Sequence, residues 1–449
     1  MRIKNIAWVL GILLMAQCES PEKKYPIHWI TLDPGHFHAA LVQKSDYVEI
    51  APDVRVYAPD TPDVDLHLSK IDAYNSRTEA PTHWNSVVYK GAYFFEKMLQ
   101  EKKGNVVMLS GNNQKKTDYI LAAIENGFHV YADKPMAITA EDYPKLEQAF
   151  QKASEKGLLL YDIMTERSEI TTVLQKELSQ IPAVFGSLRQ GTAETPAITK
   201  ESVHHYFKYV SGAPLIRPAW FFDTDQQGEG IADVTTHLVD LTFWECFPET
   251  AINDADLQLD AAERWPTVIS KEAFYKVTGT NSIPDYLQKN VLEDSLHIFA
   301  NGSIHYRIKG HHAKVSVRWD YEAPAGTGDT HFSVMRGTKA ALSIEQGAAQ
   351  NYIPSLYVEP SEGFDAEALA QAIAQLEKTY PGVALENEGK RYQISIPKAL
   401  REGHEAHFAG VTKRFISFFK ATQIPDWEIT NMLSKYRLTT NALILAQEK

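Results

Sequence analysis

Residues 126–135 read Asn-Gly-Phe-His-Val-Tyr-Ala-Asp-Lys-Pro. The Asn-Gly pair ends a helical pattern, the apolar run Phe128 to Ala132 predicts a buried strand, and Asp133-Lys134-Pro135 follows it. Ligands of open parallel sheets bind at the carboxyl ends of the strands. The ammonium of Lys134 is therefore expected at a ligand-binding edge, where it suits a sugar hydroxyl or a reacting alcohol. A surface lysine that ends a strand is the alternative.

The same alternation of apolar runs and helical stretches extends through the first third of the chain. The strand-length runs are Ile27 to Leu32, Val54 to Tyr57, Val106 to Leu109, Phe128 to Tyr131 and Leu158 to Tyr161. A helical pattern covers Lys115 to Asn126. Parallel strands joined by helices are typical of α/β proteins. The sequence predicts an α/β fold with an N-terminal Rossmann domain, a doubly wound parallel sheet, over residues 27–165.

Residues 166–449 have a different pattern. Period-two runs predict strands at Ser295 to Phe299, Ile304 to Ile308, Lys314 to Trp319, Phe332 to Arg336 and Ala340 to Glu345. The pair Asn301-Gly302 predicts a hairpin turn between the first two. Helical patterns close the chain at Phe364 to Thr379, His404 to Lys420 and Glu428 to Ala446. We expect an α+β domain for substrate binding and oligomerisation, with an open, mainly antiparallel sheet.

Composition limits the function classes. The chain has 449 residues, of which 44% are hydrophobic and 23% charged, as in globular proteins of two or three domains. Its 45 basic and 57 acidic residues give a net charge of −12. That charge repels phosphate backbones and argues against nucleic-acid binding. A small-molecule partner is expected.

The N-terminus resembles an export signal. Arg2 and Lys4 precede the apolar run Ile6 to Ala16, 11 residues long, which is about half of the ~20 needed to span a bilayer. Cys18 ends this segment and resembles the lipobox cysteine of bacterial lipoproteins. We expect a signal peptide over residues 1–18, a polar tether over 19–26, and a periplasmic or cell-surface protein whose only membrane contact is a lipid anchor. An ordinary cleaved signal, or a start-site artefact before a cytosolic enzyme, is the alternative.

The turn after the first strand lies where dinucleotide folds place their glycine loop. Gly35 allows close approach of a pyrophosphate, and the amides of His36 and Phe37 are expected to face it. Asp33-Pro34 departs from the pattern, because a carboxylate repels a diphosphate and proline has no N–H. Asp60, 25 residues after Gly35, suits the acid that accepts from the ribose hydroxyl. A solvated loop aspartate is the alternative there.

A second glycine turn precedes a helix in the stretch Gly228 to Leu241. Asp233 and His237 are neighbours on one helical face. An imidazole suits removal of a hydroxyl proton near neutral pH, and a carboxylate one turn earlier suits orienting it. A helix-stabilising Asp–His pair is the alternative.

Together these motifs resemble the Gfo/Idh/MocA family, the relatives of glucose-fructose oxidoreductase and inositol dehydrogenase. Asp133-Lys134-Pro135 stands at the family's Glu-Lys-Pro, and Gly228 to His237 at its glycine turn followed by Asp, three residues and His. Asn112 matches the asparagine of its Thr-Pro-Asn segment.

The resemblance implies hydride transfer between a sugar or polyol hydroxyl and NAD or NADP, with NAD favoured. Lys134, Asp233 and His237 would form the catalytic set, and Lys134 would also contact the cofactor. The family's open sheet often mediates association, so a homo-oligomer is the default expectation.

Further residues suggest substrate contacts or metal ligands. The guanidinium of Arg217 and the ring of Trp220 suit a sugar's hydroxyls and apolar face. For the three aromatic residues Trp220, Phe221 and Phe222, packing in the core is the alternative. The pairs His36/His38, His204/His205, His311/His312 and His404/His407 lack the helical spacing of metal ligands. No metal site is predicted from the sequence.

Two other functions are also compatible with the sequence. Free NAD is scarce outside the cytoplasm, so a tightly bound cofactor in a closed redox cycle would make the protein a glycosidase or lyase with net hydrolysis. The Asp33-Pro34 turn motivates the other reading, a non-catalytic sugar-binding lipoprotein on a degenerate Rossmann scaffold.

Overall fold

The computed structural model describes residues 25–210 and 213–448. The predicted signal peptide and Cys18 lie outside the described residues. Cys246 is the free cysteine within them. No helix of this described part is long and apolar enough to cross a membrane.

The N-terminal domain is built on a six-stranded parallel sheet. Its strands are β1 (Trp29–Leu32), β2 (Asp53–Ala58), β3 (Asn85–Lys90), β4 (Val106–Leu109), β5 (His129–Asp133) and β6 (Leu160–Ile163). They are ordered β3-β2-β1-β4-β5-β6, so the chain reverses direction across the sheet between β1 and β4. This order confirms the predicted Rossmann fold.

Helices connect these strands. They are α1 (His38–Leu41), α2 (Pro62–Ser76), α3 (Phe94–Glu101), α4 (Lys116–Glu125), α5 (Tyr143–Lys156) and α6 (Ile170–Ser179). Helix α1 is a single turn, far shorter than the helix that usually follows a glycine loop. Strand β3 was missed by the sequence analysis, because it is an edge strand whose residues are only partly buried and whose ends are polar.

The second domain contains a ten-stranded mixed sheet and a separate two-stranded one. Its strands are β7 (Ile198–Phe207), β8 (Tyr209–Val210), β9 (Ala213–Pro214), β10 (Leu257–Ser270), β11 (Val291–Leu292), β12 (Ser295–Ile308), β13 (His311–Glu322), β14 (Thr330–Arg336), β15 (Ala340–Glu345), β16 (Ser355–Pro360), β17 (Ala384–Asn387) and β18 (Tyr392–Ser395). The main order is β10-β12-β13-β7-β14-β15-β16-β18-β17, with β11 beside β12. Only β7 and β13 pair in parallel, which confirms the mainly antiparallel sheet.

The predicted turn at Asn301-Gly302 is wrong, because β12 continues through it as one strand. The Asn301 side chain is buried, donates to the Trp265 carbonyl and accepts from the Trp319 amide, so it stabilises the interior of the sheet. Gly302 is required because a Cβ there would lie 2.3 Å from the side chain of Ile231. The hairpin turn lies instead at Lys309-Gly310, where both residues have positive φ.

Six helices complete the chain and join the two domains. They are α7 (Thr224–Gln227), α8 (Thr235–Cys246), α9 (Lys271–Thr278), α10 (Ala366–Leu376), α11 (His404–Ala421) and α12 (Asp426–Gln447). Phe408 and Phe415 of α11 and Tyr436 of α12 are buried in the core of the Rossmann domain. The C-terminal helices therefore fix the second domain to the first.

A buried charge network strengthens that connection. Arg167 forms a bidentate pair with Asp240 of α8 and a second one with Glu428 of α12. Lys435 lies 2.9 Å from Asp240 and 2.7 Å from Asp162 of β6. The Arg167 guanidinium and the Lys435 ammonium hold the pKa of Asp240 well below its usual range despite complete burial. Asp240 is thus a structural residue, although it shares the helical face of His237.

Candidate active site

The candidate site lies at the carboxyl ends of β1, β4 and β5, facing the start of α8. Lys134 directly follows β5, and Asp233 and His237 lie at the start of α8. Glycine is required before this helix because a Cβ at Gly230 would lie 1.9 Å from the Ala300 carbonyl oxygen of β12. The close approach fixes the start of α8 against the sheet of the second domain.

The structure brings Lys134 and Asp233 into direct contact. The Lys134 ammonium donates to Oδ1 of Asp233 at 2.5 Å, and the Gln227 amide donates to Oδ2 at 3.0 Å. The side chains are 11% and 5% exposed, so the pair is almost excluded from water. The sequence analysis expected the Asp233 carboxylate to orient His237, but both of its oxygens bind these other side chains. Its role is to hold the Lys134 ammonium.

His237 lies beside this pair with a free ring nitrogen. Its Nδ1 is buried and has no hydrogen-bond partner. Burial, aided by the nearby Lys134 charge, holds the pKa of His237 well below 6.5. The imidazole is therefore neutral at physiological pH and can accept a proton, as a general base requires.

Two backbone amides of the first βα turn form hydrogen bonds within the protein. The amides of Gly35 and His36 both donate to the Ser110 carbonyl at 3.3 Å. The sequence had instead predicted that the His36 amide faces a pyrophosphate. The Phe37 ring contacts the rings of His36 and His38, which also contact each other. Asp33 has φ +48°, and burial raises the pKa of its carboxyl to about 6.

A segment of the second domain covers this turn. The Trp220 indole donates to Oδ2 of Asp63 at 2.9 Å, and a Cβ on Gly35 would lie 3.2 Å from the Trp220 ring. The Asn112 amide donates to Gln226 Oε1 at 2.7 Å. A cavity lined by Asp33, Ser110 and Asn112 at the ends of β1 and β4 has a volume of about 10 Å³, room for at most one water molecule. Trp220 thus lies over the Rossmann turn, and we name residues 218–227 the covering segment.

Asp60 and Arg217, which the sequence predicted to contact cofactor and substrate, differ in burial. Asp60 follows β2 with a side chain that is 80% exposed, at the strand end expected for a ribose acceptor. Arg217 is buried, donates to the carbonyls of Tyr206 and His205, and lies over the Phe221 ring at 4.5 Å. Its guanidinium therefore packs inside the second domain, where the sequence analysis expected a substrate contact.

The sequence analysis missed two aspartates near the site. Asp133 binds His38, with 2.9 Å between Oδ2 and Nδ1, and its position directly before Lys134 was the available signal. Asp329 binds His204 at 3.1 Å and His205 at 3.3 Å, and it also pairs with Lys208. Nothing in the sequence marks Asp329, because it reaches these residues only through the pairing of β14 with β7.

The residues fit a nicotinamide dinucleotide at one end of the site. The neutral His237 with its free Nδ1 and the Lys134–Asp233 pair fit the reacting end. The diphosphate end fits only when the covering segment moves away from Gly35, because the turn is closed in this structure.

Two family models match the chain. The model described as "Oxidoreductase family, NAD-binding Rossmann fold" matches residues 58–161, and "Putative oxidoreductase C terminal domain" matches residues 174–447. The first match begins after the atypical Asp33–His38 turn. No curated protein matches the chain.

Solved structures extend the likeness over both domains. A "putative oxidoreductase" from Parabacteroides merdae ATCC 43184 is 53% identical, with a TM-score of 0.92, over 94% of this chain and 98% of that one. Levoglucosan dehydrogenase, solved with NADH and levoglucosan, is 11% identical with a TM-score of 0.60, over 94% and 97%. KijD10, a 3-ketoreductase from Actinomadura kijaniata solved with NADP and TDP-benzene, is 12% identical with a TM-score of 0.56, over 94% and 97%. The last two share the fold with this chain.

Both family models, the 53% identical structure and the Rossmann order of the first sheet agree with the resemblance carried by Asp133-Lys134-Pro135 and by Gly228 to His237. The chain belongs to the Gfo/Idh/MocA family of NAD(P)-dependent oxidoreductases.

Proposed function

We propose that this oxidoreductase acts on a hydroxyl of a sugar, glycoside or polyol. The observation that carries the proposal is the buried Lys134–Asp233 pair beside the unpartnered Nδ1 of His237. The substrate class is supported by two proteins of the same fold, a levoglucosan dehydrogenase and a 3-ketoreductase solved with TDP-benzene.

Each side chain has a separate task in this chemistry. The Lys134 ammonium donates a hydrogen bond to the substrate oxygen and stabilises negative charge that develops there. Asp233 fixes that ammonium and balances its charge in a site with little water. His237 accepts the hydroxyl proton, because burial keeps its imidazole neutral. A bound nicotinamide supplies the hydride acceptor in the oxidative direction.

We propose NAD as the preferred cofactor. Asp60, at the end of β2, suits a ribose hydroxyl and repels the 2′-phosphate of NADP. Gly35, His36, Phe37, Asn112 and Lys134 would line the remainder of the binding site, with the covering segment displaced.

A closed redox cycle with net glycoside cleavage is the second candidate. The export signal predicted at residues 1–18 supports it, because free NAD is scarce outside the cytoplasm and a retained cofactor needs no exchange. Release of sugar from a glycoside without accumulation of NADH distinguishes this function from simple dehydrogenation. A non-catalytic sugar-binding protein would bind sugar and retain no nucleotide.

Export with a lipid anchor at Cys18 is a separate proposal, based on the charged and apolar N-terminal residues. Membrane fractionation and lipid labelling of the full chain, compared with Cys18→Ser, test it. Loss of labelling in the variant is expected, and an unlabelled wild-type protein would contradict the anchor. Association through the open sheet is likewise proposed, with molecular mass in solution as its test.

Turnover of a panel of sugars, glycosides and polyols with NAD⁺ or NADP⁺ tests the proposed function. We expect reduction of the nicotinamide by wild type and its loss in His237→Ala. His83→Gln is the matched control, because His83 also binds an aspartate, Asp46 at 2.6 Å, but precedes β3 at the opposite edge of the sheet. Equal turnover by wild type and His237→Ala would contradict the assignment.

A further inference from the structure

We propose that His36, His38 and Asp133 form a binding site for a divalent transition metal ion of the zinc class. His36 and His38 lie at the turn after β1, and Asp133 is the last residue of β5. The Rossmann topology brings all three to one edge of the sheet. The inference does not rest on the proposed function.

The distances fit a metal with three protein ligands. Oδ2 of Asp133 lies 2.9 Å from Nδ1 of His38 and 3.7 Å from Nδ1 of His36. One ligand atom from each residue lies within 4.8 Å of the others. Tetrahedral zinc with bonds of about 2.0–2.2 Å separates its ligand atoms by roughly 3.3–3.5 Å. The two distances from Oδ2 of Asp133 bracket that value.

The donor chemistry also suits a transition metal. Two imidazoles and a carboxylate form the ligand set of several zinc sites that keep a fourth position open. An imidazole binds such a metal through the lone pair of one ring nitrogen, and both rings place Nδ1 within 4 Å of Oδ2 of Asp133. Nδ1 of His36 accepts only a long contact of 3.4 Å from the His38 amide.

The surroundings of Asp133 resemble an outer shell of a metal site. The Ser110 hydroxyl donates to Oδ2 at 2.9 Å and orients the carboxylate. Lys116 is also close, but its ammonium donates to the Asp133 backbone carbonyl at 3.0 Å, and burial lowers the pKa of Lys116 to about 8. Lys134 is paired with Asp233. The positive charges near the site are therefore directed away from Oδ2 or balanced.

A metal-free hydrogen bond between His38 and Asp133 is the competing explanation. It accounts for the 2.9 Å contact alone. It does not account for the second imidazole, whose Nδ1 is turned towards the same carboxylate oxygen. A metal ion explains both orientations together.

Cobalt binding to the full-length protein without an affinity tag tests the site. After dialysis against a chelator and then chelator-free buffer, Co²⁺ is added and visible absorption is recorded, with no cofactor or sugar present. We expect one equivalent of cobalt with tetrahedral absorption bands that Zn²⁺ abolishes. The variants His38→Gln, His36→Gln and Asp133→Asn are each expected to weaken binding at least about tenfold. The control His83→Gln should bind as wild type does.

Two outcomes would overturn the proposal: no cobalt bands in wild type, or unchanged bands in all three ligand variants. Thermal unfolding of each variant identifies those that do not fold. The His36 side chain is the more exposed of the two, at 16% against 10% for His38. If His38→Gln does not fold, the cobalt titration of His36→Gln therefore decides the test. Because the assay contains neither cofactor nor sugar, the absence of cobalt binding would not contradict the proposed oxidoreductase function. Likewise, the absence of oxidoreductase activity would not contradict the metal site.

Discussion

Trp220→Phe tests how the covering segment controls access to the cofactor site. The change removes the indole N–H that binds Asp63 at 2.9 Å and retains an aromatic ring above Gly35. If NAD binds only when the segment is displaced, its apparent affinity is the intrinsic affinity multiplied by the open fraction. Losing the contact therefore raises the apparent affinity.

The size of the effect follows from the contact that is lost. A hydrogen bond to a carboxylate contributes about 1.5–3 kcal/mol. Because about 1.4 kcal/mol corresponds to a factor of ten, the open fraction should rise roughly 10- to 100-fold as long as the open form stays the minority. The remaining contacts of the segment, Asn112 with Gln226 and Asn113 with Gln227, are unchanged.

NADH fluorescence titration measures the apparent dissociation constant. We expect a value about tenfold or more lower for Trp220→Phe, arising from faster association of NADH. Trp244→Phe is the matched control, since Trp244 lies on α8 against Lys176 and away from the turn. Equal affinities for wild type and Trp220→Phe, with unchanged thermal stability, would refute the reasoning.

Three further predictions follow from the buried charges and the proposed base. His237→Ala should lower kcat about 10²- to 10⁴-fold with a small change in KM, as steady-state kinetics will measure, and an unchanged kcat would rule out a general base there. Asp33→Gly should tighten NAD binding above pH 6 and have little effect at pH 5. The reason is that the wild-type carboxyl, with its pKa of about 6, becomes charged across that interval and repels the diphosphate; isothermal titration calorimetry at both pH values should show this divergence. Arg167→Ala leaves Glu428 buried without this partner and Asp240 paired with Lys435 alone, and should lower the free energy of unfolding by about 3–5 kcal/mol, so a loss below ~1 kcal/mol in urea titration would contradict the structural role of the network.

The fold, and the placement of Lys134, Asp233 and His237 at one site, were predictable because their signals are local. The strand before Lys134 and the glycine turn before His237 are short patterns, and strand ends and helix starts place their side chains. The turn predicted at Asn301-Gly302 was wrong because these residues, which are common in turns, lie at buried positions inside β12.

Long-range contacts were not predictable from the sequence. Asp133 approaches His38 across 95 residues, and Trp220 approaches Asp63 across 157 residues. No local pattern specifies which side chains meet when the two domains pack. The closed turn at Gly35 is a consequence of that packing.

Identifying the nucleotide that the protein binds is the most direct test of the claim that this chain is an NAD-dependent oxidoreductase of sugars or polyols. The purified protein is denatured, and the released nucleotide is identified by mass spectrometry; a second sample is equilibrated with NAD⁺ and NADP⁺ and analysed for binding. We predict NAD(H) in the first sample or specific NAD binding in the second, with loss of nicotinamide reduction by sugars in His237→Ala. A folded wild-type protein that retains no nucleotide and binds neither NAD nor NADP at millimolar concentration would contradict the account.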